Sequence, residues 1–348
     1  MKTAAFEYEL PEALIAAHPA ERRDGARLLV LDAELRDARV DELPDLIPER
    51  ALVVVNDTRV RRARIFGVKR GSGGKVELLF IRRVDVGADG ERWEAIGRSS
   101  KPLRVGTVID WDEVSIELVA RDDEATLTVI VRAPDDFEKI LDRRGHLPLP
   151  PYMRRGDELA DLERYQTVYA RRTASAAAPT AGLHLSEALL ERMRARQIEV
   201  ARVELEIGLG TFRSVLVEDL DEHPMHSETI DVSSELVNAV ARARERSAPV
   251  VAIGTTVVRA LESAADPERR GLLRPLRGET RLLIQPGYDF RVVDALLTNF
   301  HVPKSTLLAL VSAFAGYERT MHAYRHAVGA RYRFLSYGDA MWIPGKNQ

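Results

Sequence analysis

The chain contains no cysteine. That absence removes disulfides, a thiol nucleophile, Cys-ligated iron–sulfur clusters and Cys-based zinc sites together. A membrane-crossing run is also missing. The longest uncharged stretches, Thr173–Ser186 and Ser305–Tyr317, fall short of the ~20 apolar residues a spanning helix needs, and the first carries Pro179 and His184. Met1–Pro11 carries Glu7 and Glu9 and no apolar h-region, so no secretory leader is read there. Aromatic residues are sparse, and neither charge dominates. Lys plus Arg number 51 against 54 Asp plus Glu, a net charge of -3. A nucleic-acid site, if present, must therefore be a local patch. These absences together lead to the expectation of a soluble, cytoplasmic protein.

What is present is an ordinary globular balance, 45% hydrophobic and 30% charged, which excludes disorder, collagen and coiled coil as the main class. At roughly 150 residues per domain, 348 residues suggest two domains. The middle of the chain differs from its flanks. From 63 to 132, short Val-, Ile- and Thr-rich runs alternate with turn signals, and Gly71–Gly74 reads as a hairpin turn. Runs at 63–68, 75–84, 93–97, 114–120 and 125–132 predict the strands of a small barrel. A helix capped by Asp135 or Asp136 follows to Arg144, and then a Pro-rich linker, Leu147–Pro151.

After the linker, strand and helix patterns alternate, which predicts an α/β domain around a sheet. Helices are expected over 158–169, 186–196, 234–246, 256–265, 306–315 and 318–328. Strands are expected over 200–207, 250–253, 282–285 and 334–337. Leu52–Val55 is a continuous apolar strand of the buried type and precedes the barrel. The resulting expectation is an α/β domain, a mixed sheet with flanking helices, made of residues 1–60 plus 151–348. The barrel, 61–150, is inserted within it.

Several strings carry candidate chemistry, and each also has a plain structural reading. Asn56-Asp57-Thr58-Arg59 follows the apolar strand, where ligands gather in open α/β sheets. Asp57 suits a hydroxyl or ammonium and Arg59 a carboxylate or phosphate; the alternative is a turn with an internal Asp–Arg pair. Arg59, Arg61, Arg62, Arg64, Lys69, Arg70 and Lys75 form a run without one acid, either a phosphate-contact surface or one solvated face of a strand pair. In Ala178–Ser186, Thr180 and Gly182 precede His184 and a Ser186 cap, giving either an anion cradle with a titratable group or a satisfied turn histidine. Gly208 and Gly210 with Phe212 end a strand, without the third glycine of a dinucleotide fingerprint. His223-Pro224-Met225-His226-Ser227-Glu228 suits acid–base work or ligand contact better than a metal, because Pro224 disfavours one regular helix across both histidines. Gly254 before Thr255 and Thr256, and Asn299 to Thr306 with His301, Lys304 and Ser305, place free N–H groups and a cation at two helix starts. A plain βα turn and a capped core helix are the alternatives.

Taken together, the strings NDTRV, LPLPPY, ERYQTVYA, APTAGLH, GLGTF, HPMHSE, GTT with VRALESAA, PGY, TNFHVPKSTL with LVSAFAG, and FLSYGDAM resemble one family along essentially the whole chain. It is the S-adenosylmethionine:tRNA ribosyltransferase-isomerase family of queuosine biosynthesis. There are departures: Arg61-Arg62 stands where Ile-Pro is usual, Leu185-Ser186 where Phe-Thr is usual, and Glu206 near a usual histidine. Ser214 and Val257 also differ from the commonest residues.

The resemblance implies an α/β domain with an inserted barrel, and a monomer. It implies transfer and isomerisation of the ribosyl portion of S-adenosylmethionine onto 7-aminomethyl-7-deazaguanine at the tRNA wobble position. The products are epoxyqueuosine-tRNA, adenine and methionine. No metal or redox cofactor is implied; S-adenosylmethionine is a consumed co-substrate. The chemistry calls for groups titrating near neutrality, for which His184, His226, His301 and Glu228 are the candidates. Thr255, Thr256, Arg259, Lys304 and Ser305 suit the methionyl carboxylate. Asp57, Glu228, Phe212 and Phe300 suit the ammonium and sulfonium. Asn56, Arg59, Thr180, Gly182, Gly208 and Gly210 complete the expected substrate site, and Arg61, Arg62, Arg64, Lys69 and Arg70 the tRNA contact.

Overall fold

Residues 1–122, 126–208, 215 and 217–345 are described by the structure, a computed structural model. Leu52–Asn56 is buried at all five positions and lies near the middle of a nine-stranded mixed sheet. Its side chains alternate between two cores: Leu52 and Val54 join one, Val53 and Val55 the other. A strand covered on both faces needs apolar residues at every position, which explains the unbroken run in the sequence.

Across the sheet the strands run Leu276–Thr280, Glu228–Val232, Glu199–Leu205, Leu52–Asn56, Val250–Ile253, Ala295–Asn299, Ala340–Ile343, Arg27–Leu31 and Leu35–Arg39. The four from Glu199–Leu205 to Ala295–Asn299 are mutually parallel, and their neighbours on either side, Glu228–Val232 and Ala340–Ile343, pair antiparallel. The carboxyl ends of the parallel group thus open on one edge. Helices Ser234–Glu245, Thr255–Ser263, Thr306–Ala315 and Tyr317–Gly329 pack into the larger core, and Glu187–Ala195 into the other.

Six strands between Arg64 and Arg132 close a separate antiparallel barrel around Trp93, Phe80 and Phe137. Phe137 comes from the helix Phe137–Arg144, whose cap is Asp136. The Gly71–Gly74 segment does turn a hairpin, with Gly73 N–H donating to Lys69 O at 2.9 Å.

Some elements differ from expectation. The 158–169 stretch contains only a single helical turn, Asp161–Arg164. Asp161 is buried and its carboxylate accepts from both Arg155 nitrogens (2.6 and 2.9 Å) and from Tyr337 Oη (2.7 Å), so tertiary partners hold this segment in place of helix contacts. Phe334–Tyr337 is a turn, not a strand. Leu335 has φ +71°, and Gly338 N–H folds back to Leu335 O. Leu282–Gln285 is irregular, and the sheet is completed instead by Leu276–Thr280 and Ala340–Ile343.

Candidate active site

Two helices begin just beyond the carboxyl ends of adjacent parallel strands. The first, Thr255–Ser263, starts after Val250–Ile253 through Gly254 at φ +98°, ψ 154°, a conformation open essentially to glycine alone. The second, Thr306–Ala315, is capped by Ser305, whose Oγ accepts from Leu308 N–H (3.2 Å) and donates to Val302 O (2.8 Å). Both starts line a cavity of about 360 Å³, together with Thr180, Asn299, His301 and Lys304. Unpaired N–H groups and the positive ends of two helix dipoles therefore converge on one space, an arrangement suited to an anionic group.

His301 lines this cavity, and its Nε2 lies 3.0 Å from Thr298 Oγ1. Its backbone is pinned from both sides, the N–H donating to Tyr324 Oη (3.0 Å) and the carbonyl accepting from Tyr8 Oη. Burial lowers its pKa to about 4, so the ring is neutral at physiological pH. His184 sits behind the wall. It is buried, its Nε2 lies 3.1 Å from Asn299 Nδ2, and burial lowers its pKa to about 4 as well.

A second, more polar cavity of about 750 Å³ adjoins the first, and Ile207 and His223 belong to both walls. It lies between the sheet edge and the barrel. Glu206, Gly208, His226 and Glu228 come from one side, Ile81, Arg82 and Glu94 from the other. Glu228 is buried and paired with Arg259, which also donates from Nε to Leu282 O at 3.1 Å. Glu206 is half-buried; burial, and then the neighbouring Glu204, push its carboxyl up. The carboxylates of Glu94, Glu206, Glu228 and Glu279 outnumber the cations Arg82 and Arg281 here.

Other expected site residues stand elsewhere. Asn56 is fully buried and ties the backbone, donating to Leu205 O (3.0 Å) and accepting from Thr58 and Leu205 N–H (3.2 and 3.3 Å). Asp57 lies 3.8 Å from Arg202 and is raised in pKa by burial. Arg59 is exposed. Gly182 packs under Tyr169, where a Cβ would meet the hydroxyl at 2.2 Å. Lys304 does line the first cavity, but its ammonium pairs with Glu7. Gly210 and Phe212 fall outside the described residues.

The basic run does not form one surface. Arg61 is largely buried, donating to Ile81 O and pairing with Glu138. Arg62 holds Gly145 O and Asp142 O at the end of the barrel's helix, and Arg64 holds Leu149 O in the linker. Only Lys69 and Arg70 reach a shallow outer groove of the barrel, beside Lys101 and Arg104.

Residues 3–343 match the model of a family described as queuosine biosynthesis protein. The chain belongs to that family. Among relatives in it, a Sorangium cellulosum protein named S-adenosylmethionine:tRNA ribosyltransferase-isomerase is 54% identical, covering 99% of each chain. A Geobacter metallireducens protein of the same name is 48% identical, covering 99% of this chain and all of its own. The crystal structure of a Thermotoga maritima S-adenosylmethionine tRNA ribosyltransferase is 32% identical, with a TM-score of 0.55 over 97% of this chain and 99% of that one. For a member of this family, the structure adds lining residues that the motifs did not single out. Tyr152 and Ser336, hydroxyls 2.5 Å apart, come from LPLPPY and FLSYGDAM, and Thr298 from the strand before His301. Their membership in shared strings was the only sequence signal; nothing in spacing shows that a linker and a C-terminal turn meet.

Proposed function

We infer that this chain is an S-adenosylmethionine:tRNA ribosyltransferase-isomerase. It transfers and isomerises the ribosyl portion of S-adenosylmethionine onto 7-aminomethyl-7-deazaguanine at the wobble position of tRNA. Epoxyqueuosine-tRNA forms, and adenine and methionine leave. The single observation that carries the site assignment is the pair of adjoining cavities, one facing two helix starts and one facing the barrel.

The 360 Å³ cavity takes the sulfonium nucleoside. Its methionyl carboxylate lies toward the N–H groups of Thr255 and Thr256 or of the Ser305-capped helix. The sulfonium acidifies the ribose C5′ protons, and His301, neutral and oriented by Thr298, accepts one of them. The acidic second cavity takes the aminomethyl base. Carboxylates such as Glu206 and Glu228 offset its ammonium, and His226 stands by to receive its proton before attack. The backbone phosphates stay outside, toward Arg59, Lys69 and Arg70. The chain acts as a monomer, as the family resemblance implies, and tRNA as substrate supports a cytoplasmic location.

The test is adenine release from labelled S-adenosylmethionine. Release is expected only with tRNA bearing the modified base. Release without tRNA, or RNA binding with no release under any condition, overturns the reading.

A further inference from the structure

Asn299 ends the Ala295–Asn299 strand, is 2% exposed and lines the smaller cavity. Its amide nitrogen carries two hydrogens, and both are engaged: one with Leu335 O and one with His184 Nε2, each at 3.1 Å. The orientation of the amide follows from the Leu335 contact. Turned over, Oδ1 would face the Leu335 carbonyl, two acceptors in contact. With nitrogen toward Leu335, His184 Nε2 must be the acceptor, so the ring is neutral with its proton on Nδ1. The burial that lowers the His184 pKa to about 4 favours the same state.

One atom of Asn299 remains. Oδ1 is buried and has no partner among the described residues. A buried amide oxygen without a donor is unfavourable, and this one belongs to a residue of the cavity wall. His184, by contrast, reaches only a small void of about 20 Å³ on the far side, room for about one water molecule and no substrate.

We propose that Asn299 is a substrate-binding residue whose Oδ1 accepts a hydrogen bond from an N–H or O–H donor of the sulfonium nucleoside, and that His184 is a positioning residue that holds Asn299 as an acceptor. The inference rests on the reading of this cavity as the S-adenosylmethionine site. It deepens that reading by removing His184 from the candidate bases, since its only lone pair is already committed.

Four variants of the full chain test it by equilibrium binding of S-adenosylmethionine without tRNA and by turnover with tRNA. Asn299→Ala and His184→Ala are expected to raise Kd and KM for S-adenosylmethionine about tenfold, the loss of one hydrogen bond. Their kcat at saturation stays within about threefold, as for uniform binding. His184→Gln, whose Oε1 can accept from Asn299, restores Kd to within about threefold of the unaltered chain. A hundredfold fall in kcat for His184→Gln with Kd unchanged makes His184 the base and overturns the proposal, as does an unchanged Kd for Asn299→Ala. Thr180→Phe, which narrows the cavity, separates the two failures. If Thr180→Phe weakens binding and Asn299→Ala does not, only the present inference falls. If Thr180→Phe leaves Kd unchanged, the site assignment falls with it. Should His184→Ala fail to fold, Asn299→Ala and His184→Gln still decide.

Discussion

At the scale of single residues, two histidines share a property and differ in use. His301 and His184 are both held neutral by burial, yet of the two only His301 lines the 360 Å³ cavity. His301→Gln is therefore expected to lower kcat by about 10²–10⁴-fold, with S-adenosylmethionine Kd little changed; single-turnover adenine release measures it. Burial also sets a pH dependence. The folded pKa of His184, about 4, lies below the ordinary 6.5. Between those values the unfolded chain binds the extra proton. The stabilisation is thus complete above pH 6.5 and is lost as pH falls through the window toward 4. For His184 the loss by pH 4 is on the order of 3 kcal/mol. Denaturant midpoints of the unaltered chain should fall more steeply from pH 6.5 to 4 than those of His184→Gln; parallel curves would count against a buried neutral ring.

At the scale of elements, the site depends on two helix starts and a buried ion pair. Gly254 holds a backbone conformation that a Cβ disfavours, although space around it is adequate, its nearest neighbour being Ala181 Cβ at 3.5 Å. Gly254→Ala is expected to destabilise by about 1–2 kcal/mol and to weaken S-adenosylmethionine binding, because the N–H groups of Thr255 and Thr256 turn with the strained residue. Thermal melts and titration read the two effects separately. Arg259 projects from the middle of the same helix and pairs with Glu228 on the neighbouring strand. Arg259→Ala removes one partner of a buried pair, and a loss of about 3 kcal/mol is expected. Arg259→Lys, which keeps charge but not the planar fork, should recover part of it.

At the scale of the whole molecule, the basic run divides by function. Arg61, Arg62 and Arg64 fasten the barrel to its helix and linker through Ile81, Gly145, Asp142 and Leu149 carbonyls. Arg59 is exposed, and Lys69, half-buried with its Nζ on Lys101 O, reaches the outer groove of the barrel. Charge reversal at Arg59 and Lys69 is therefore expected to weaken tRNA binding and to lower the salt slope of binding by roughly 0.7–0.9 per phosphate contact removed. Alanine at Arg62 or Arg64 should instead lower stability with the salt slope unchanged. Filter binding across a salt series, with melts in parallel, distinguishes these outcomes.

The sequence alone determined the local features that repeat from residue to residue. The apolar strand at Leu52–Asn56, the capped helices after Ser186, Ser233 and Ser305, the barrel's hairpin and the glycine before Thr255 all follow from patterns within a few positions. Its ordered motifs also carried the family. Only the tertiary structure decided which motif residues share a wall. Asn56 turned inward because its amide matches the edges of two strands, and His184 sits behind Asn299 because a C-terminal turn at Leu335 supplies the second acceptor. The same holds for the turn at Phe334–Tyr337 and the short helix at Asp161–Arg164, where an amphipathic string is overruled by partners 176 residues away. Periodicity reports which face of an element is apolar, but contacts between distant segments depend on topology, and no local pattern encodes those.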